Sequence, residues 1–147
     1  MSVISEEEKA FQNRFSRQIA TMGLAAVRKL VAQKVLIVGM GAAGVETAKN
    51  VILQGTRAVS LYDPTLCEMK HLGLNFCLSE NSCGKRLDQV CVPKLQELNK
   101  ECVVTALDNL TEEEVGKHTV MVVTSFMPKG DLIKWNEFCR DFKLNEM

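Results

Sequence analysis

The sequence has no excess of charge of either sign, since eighteen Lys and Arg balance eighteen Asp and Glu. A nucleic-acid binder or a reader of anionic membrane surfaces needs a basic patch or stripe, so the balance gives neither partner an electrostatic footprint. No apolar run approaches the roughly 20 residues that span a bilayer. The N-terminus is polar and acidic, unlike a secretory signal. Histidine is scarce, with only His71 and His118, and the six cysteines (Cys67, Cys77, Cys83, Cys91, Cys102, Cys139) include no C-x-x-C pair. A zinc site therefore has no ligand set to draw on, and the metal expectation is none. Nothing beside any cysteine marks it as base-activated, which leaves reduced buried thiols of a cytosolic or nuclear protein. Repeats and low-complexity tracts are absent, which excludes solenoids and repeat arrays. What is present is ordinary globular material: 147 residues, 46% hydrophobic and 24% charged, long enough for a sizeable core.

The most informative stretch runs from Lys34 to Asp63. A short apolar run, Val35 to Val38, breaks at Gly39-Met40-Gly41-Ala42-Ala43-Gly44. A helical pattern follows, then a second apolar run from Ala58 to Tyr62, closed by Asp63. A bare G-x-G-x-x-G is weak, but one framed by strand, helix, strand and acid indicates a nucleotide-binding βαβ unit. Gly39 suits the tight turn out of the strand. Gly41 has no Cβ to block an approaching phosphate, and Gly44 lets helix and strand pack closely. The helix N-terminus favours an anion, and Asp63 stands where a carboxylate accepts hydrogen bonds from ribose hydroxyls.

Along the chain, Ser5 to Glu8 reads as a capping box opening a helix with Ala10, Phe11, Phe15 and Ile19 at helical spacing. Gly23 interrupts, and Leu24 to Val31 is expected as a second helix. After Asp63 comes a long loop, Pro64 to Gly84, of a length more often functional than filler. Arg86 to Leu98 reads as a helix that Pro93 is expected to kink or break. Val103 to Leu107 is a third strand, and Thr111 caps a short helix. Val120 to Thr124 is a fourth strand, apolar enough to be buried on both faces. Pro128 to Phe142 is a last helix with Leu132, Ile133, Trp135 and Phe138 on its apolar side. His71 and His118 are expected to face solvent. The alternation predicts an α/β fold: a Rossmann-like parallel sheet with helices on both faces and right-handed crossovers. Residues 1–33 would form an N-terminal helical extension and residues 34–147 a partial half-domain, truncated after the fourth strand and its helix.

Three features carry a family resemblance: Arg14-Phe15-Ser16-Arg17-Gln18, Met22 to Leu30, and the run from Gly39 to Gly55. Pro93 to Asn99 and Glu137-Phe138-Cys139 add to it. Together they resemble the adenylation fold shared by ubiquitin-activating enzymes and their bacterial MoeB/ThiF-type relatives. More narrowly they resemble the N-terminal, inactive adenylation half. The resemblance implies a parent enzyme that uses ATP and magnesium to adenylate the C-terminus of ubiquitin or a ubiquitin-like protein. It implies an active adenylation half as pseudo-dimer partner, and a cytoplasmic and nuclear location. It also implies that Arg17, which matches the arginine of the family's Arg-Gln motif, reaches the partner half's ATP in trans. A guanidinium offers the fixed charge and donor fork that such a phosphate site needs. Without the resemblance, Arg17 reads as a surface arginine or a partner for Glu6 to Glu8.

The residues that would make this half active are the ones that differ from the family pattern. Asp63 matches, but Thr65 stands where a second aspartate is expected. His71 replaces an asparagine, Leu74 an arginine, and Leu87 a lysine, with Lys85 and Arg86 close by. Phe126 stands where the magnesium-binding aspartate is expected. The resemblance thus implies that Gly39, Gly41, Gly44 and Asp63 are a vestigial nucleotide site, and that no cofactor is bound productively here. Two other readings stay open. One is the small subunit of a SUMO- or NEDD8-activating heterodimer. The other, of a different class, is an NAD-binding Rossmann oxidoreductase domain with Asp63 as ribose ligand. A domain lacking strands and partner is also expected to self-associate.

Overall fold

The computed structural model describes residues 5–145, and the side-chain surroundings of residues up to 141. It divides into two compact units, meeting between Ala32 and Gln33.

The first unit holds three short helices: α1 (Glu6–Arg14), α2 (Ser16–Met22) and α3 (Leu24–Val31). Ser5 caps α1, its Oγ accepting from the Glu8 N–H at 3.2 Å, with three glutamates on the positive end of the dipole. The Glu8 carboxylate, expected to complete a capping box, is engaged by Gln12 at 2.8 Å and by Arg28 at 2.6 Å. The single helix expected through Ile19 is divided at Phe15, whose φ of −99° and ψ of 17° leave the helical region. The Phe15 ring lies 4.9 Å from that of Phe11, and the Arg14 guanidinium sits over it. Gly23, at φ 84°, separates α2 from α3 in a conformation only glycine adopts cheaply.

The second unit is β1 (Lys34–Val38), α4 (Ala42–Gln54), β2 (Ala58–Tyr62), α5 (Leu87–Leu98), β3 (Val103–Ala106), α6 (Glu112–Gly116), β4 (Val120–Val123) and α7 (Lys129–Asn145). The strands pair in parallel in the order β3-β2-β1-β4, with Ile37 opposite Leu61 and Val122. Period-two alternation sends the strand residues to two cores. Val35, Ile37, Val59 and Leu61 pack with Val45, Ala48 and Ile52 of α4 and with Cys91 and Leu95 of α5. Leu36 and Val38 face the other way, toward Val115 of α6 and Trp135 and Phe138 of α7. Each fully buried residue such as Ile37, Ile52 or Leu95 contributes ~1.5–3 kcal/mol of transfer free energy.

Four local expectations are corrected. Residues 120–123 are only partly buried, because β4 is an edge strand paired with β1 alone. On α7, Trp135 and Phe138 reach the core while Leu132 and Ile133 remain exposed. Pro93 does not break α5, which runs continuously from Leu87 to Leu98. His118 is half-buried, Nδ1 bonded to the Glu114 carbonyl and Nε2 to Ser60 Oγ, both at 2.7 Å.

Candidate nucleotide site

In this strand order β1 lies between β2 and β4, so the chain leaves β1 on one side of the sheet and reaches β4 by crossing to the other. Ligands of doubly wound sheets bind in the crevice at the C-terminal ends of such strands. The residues that meet there are the turn 39–44 after β1, Asp63 after β2, and Thr124 to Phe126 after β4. Gly39 has φ 100°, and a Cβ on it would sit 2.7 Å from Cβ of Ser125. A Cβ on Gly44 would fall on the Gly39 carbonyl oxygen, so the α4 N-terminus packs directly on the turn. Gly41 differs: it has φ −70° and nothing within 4 Å of a Cβ position, leaving one open approach to the backbone. Thr124 closes the other flank, its Oγ1 donating to the carbonyls of Val38 at 3.1 Å and Gly39 at 3.0 Å.

Asp63 is buried and its carboxylate is already used. Oδ2 accepts from the Met40 N–H at 2.7 Å and Oδ1 from the Thr65 N–H at 3.0 Å. Asn75, from the long loop, holds the other side of Met40: Nδ2 donates to the Met40 carbonyl at 2.8 Å, and Oδ1 accepts from the Cys77 N–H at 2.8 Å. The N–H and C=O of Met40 are thus both fixed by side chains. Behind Asp63 lies Asp88, fully buried, whose Oδ2 accepts the Asp63 N–H at 2.8 Å. Arg86 grips Asp88 with two bonds, Nε to Oδ1 at 3.1 Å and Nη2 to Oδ2 at 2.6 Å. Arg86 also donates to the carbonyls of Leu107 at 2.8 Å and Asp108 at 3.4 Å. The hydrogen bond to Asp88 pushes the Arg86 guanidinium still higher than usual, so it stays charged.

The remaining positions singled out in the sequence are dispersed. Leu87 is buried in the core and Lys85 is exposed. His71 Nδ1 accepts from the Glu68 N–H at 3.0 Å, in a single turn of tight helix. Leu74 is 61% exposed and Phe126 is 97% exposed, standing free at the end of β4. Arg17 lies in the other unit, exposed on α2, and it is Arg28, not Arg17, that pairs with Glu8. Sequence reasoning did not single out Asn75 or Asp88. An acid in the first turn of a helix ordinarily reads as a dipole partner, and only the Arg86-x-Asp88 spacing hints at a buried pair.

Magnesium prefers oxygen ligands, usually one or two carboxylates besides the phosphates. The two carboxylates behind the turn, Asp63 and Asp88, are bonded to backbone N–H groups and to Arg86, and Phe126 supplies no oxygen. Among the described residues, no group of three or more His, Cys, Asp or Glu side chains is arranged to hold a metal. The residues present do not fit a magnesium–triphosphate: the open backbone at Gly41 suits an anion, but the Asp63 and Asp88 carboxylates are spent on backbone N–H groups and Arg86 on Asp88.

A four-stranded parallel sheet in this order, with a glycine turn at its switch point, defines a Rossmann-like nucleotide-binding class. Within that class the chain belongs to the ThiF family, whose sequence pattern it matches over residues 15–134. It is 38% identical over 125 residues to ubiquitin-activating enzyme E1 1 of Triticum aestivum, a match covering 84% of this chain and 12% of that enzyme. It is 37% identical over 128 residues to ubiquitin-like modifier-activating enzyme 1 of Homo sapiens, covering 86% of this chain and again 12% of the relative. The chain therefore spans about an eighth of the length of these relatives. Its fold is that of the Escherichia coli tRNA N6-threonylcarbamoyladenosine dehydratase solved with ATP (TM-score 0.67, 22% identity, 97% of this chain and 59% of that one). E. coli MccB, at 24% identity, shares the fold as well (TM-score 0.66, 84% of this chain and 39% of that one).

Proposed function

We propose that this chain is the non-catalytic adenylation half of a ubiquitin-activating enzyme, that it adenylates nothing by itself, and that Arg17 serves the ATP of an active half in trans. The likeness to ubiquitin-activating enzymes at 37–38% identity supports the general kind of function. The observation that carries the finer reading is the crevice itself. Phe126 stands almost fully exposed where a magnesium carboxylate would be needed, and the Asp63 carboxylate is spent on the Met40 and Thr65 N–H groups. In this reading the glycine turn is kept as a structural turn, and ATP and magnesium belong to the parent enzyme. Arg17 suits the trans role because it is exposed and does not share Glu8 with Arg28. Ubiquitin or a ubiquitin-like protein is then the substrate, in the cytoplasm and nucleus.

Calorimetric titration of the chain with ATP plus magnesium, and separately with NAD, tests this reading. Neither nucleotide is expected to bind with sub-millimolar affinity. Tight binding of ATP with magnesium would restore an active site to this half, and tight binding of NAD would replace the reading with an oxidoreductase domain.

A further inference from the structure

The long loop between β2 and α5 is closed at its base by an antiparallel bridge between Leu66 and Arg86. Beside that bridge the Cys67 N–H donates to the Lys85 carbonyl at 2.8 Å, and the Gly84 N–H donates to the Cys67 carbonyl at 2.9 Å. The Gly84 bond sets its chain neighbour Cys83 beside Cys67, whose thiol donates to the Glu68 carbonyl at 3.9 Å. The two sulfurs differ in access. Cys67 is buried, whereas Cys83 is exposed, its thiol directed at the Met69 sulfur 3.7 Å away. A second thiol pair, Cys77 and Cys91, lies wholly inside, with the Asn75 amide donating to Cys91 Sγ at 3.3 Å. No metal explains the cluster, since no three such ligands converge among the described residues.

We propose that Cys67 and Cys83 are an oxidisable dithiol that closes to a disulfide across the base of this loop, Cys83 meeting the oxidant and Cys67 resolving it. With hydrogen peroxide, the Cys83 thiolate attacks one oxygen, the O–O bond breaks, and the leaving hydroxide takes a proton to become water. The sulfur of Cys67 then attacks the Cys83 sulfenic acid, the S–O bond breaks, and the Cys67 proton leaves with the hydroxide as a second water. Two thiols lose two electrons, and one peroxide becomes two waters. Burial and the neighbouring Cys83 sulfur push the Cys67 thiol up, which suits a sulfur that keeps its proton until its partner has reacted. The bridge would enclose residues 67–83, the segment that carries Asn75 to the Met40 carbonyl, so oxidation would fix the loop against the glycine turn.

Peroxide titration of the purified chain, followed by alkylation and digestion with trypsin and a glutamate-specific protease, tests this directly. Cleavage after Glu68 and Glu80 separates Cys67, Cys77 and Cys83 onto different peptides. The expected first product is a Cys67–Cys83 disulfide, with two of the six thiols lost to alkylation and both recovered by reductant. Cys83→Ser is expected to lose the bridge and leave Cys67 reduced at the same dose. Cys67→Ser is expected to accumulate a dimedone-trapped sulfenic acid on Cys83. Should that buried substitution fail to fold, dimedone trapping in the unmodified chain at short times reads the same intermediate. The proposal is overturned if Cys77 and Cys91 pair first, if only disulfides between chains form, or if Cys83 reaches sulfinic acid while Cys67 stays alkylatable.

Discussion

The Arg86–Asp88 pair offers the sharpest test of whether the crevice is built for structure or for phosphate. Asp88→Ala removes a carboxylate that accepts four bonds, two from Arg86 and one each from the N–H groups of Asp63 and Gln89. Asp88 has no exposure, so water cannot replace them. Leaving the buried Asp63 N–H unpaired costs ~1–3 kcal/mol. Stranding a charge by deleting its buried partner costs ~3–5 kcal/mol. Arg86 lies at or below the low end of that range, because its side chain is 22% exposed and keeps the Leu107 and Asp108 carbonyls. Together these give about 4 kcal/mol, a large part of the ~5–15 kcal/mol that holds a domain of this size. With a urea slope of ~2 kcal/mol/M, the unfolding midpoint is expected to fall by about 2 M. Arg86→Ala should cost about as much, since Asp88 keeps two N–H donors but has no exposure to relieve its stranded charge, and the double substitution less than the sum of the two. Urea unfolding followed by circular dichroism, with nucleotide titration of each variant, reads both quantities. If Arg86→Ala left the midpoint in place and weakened ATP binding, Arg86 would be a phosphate ligand and the structural assignment would be wrong.

Two further outcomes follow from the same geometry. Gly44→Ala places a methyl on the Gly39 carbonyl oxygen, a backbone atom that cannot swing aside, and is expected to cost at least the upper end of ~1–3 kcal/mol. Gly41→Ala enters open space at an ordinary φ and should stay within about 0.5 kcal/mol; equal shifts in the two urea midpoints would refute the packing argument. The outer edge of β4, with Val120 39% exposed beside the groove lined by Met121, Leu132 and Trp135, should drive concentration-dependent self-association that Val120→Lys weakens. Sedimentation showing a monomer at all concentrations, with or without the lysine, would contradict it.

The βαβ core was legible because its signals are local. The apolar runs 35–38 and 58–62, the three glycines, and the helical spacing between them place β1, α4 and β2 where the structure has them. The short capped helix at Thr111 and the parallel sense of the strands, though not their order, could be read for the same reason. Burial of β4 was not legible, because an apolar run looks alike in a central and an edge strand, and pairing is decided at a distance. Asp63 shows the same limit at the site. Its position after β2 announces a ribose ligand, yet whether the carboxylate is available depends on the Met40 and Thr65 N–H groups folding onto it. Asn75 and Asp88 are polar residues whose importance comes wholly from burial. By contrast, the exposed Phe126 was a substitution against a family pattern, visible without coordinates, and the structure adds that nothing covers it.

ATP–pyrophosphate exchange in the longer enzyme that the proposed function requires, compared between the wild type and Arg17→Ala, tests the central claim most directly. A trans-acting guanidinium on the transferring phosphates predicts a loss on the order of a hundredfold or more, with the variant folded as the wild type is. Unchanged exchange by Arg17→Ala, or exchange by the present chain alone with ubiquitin, would contradict the account.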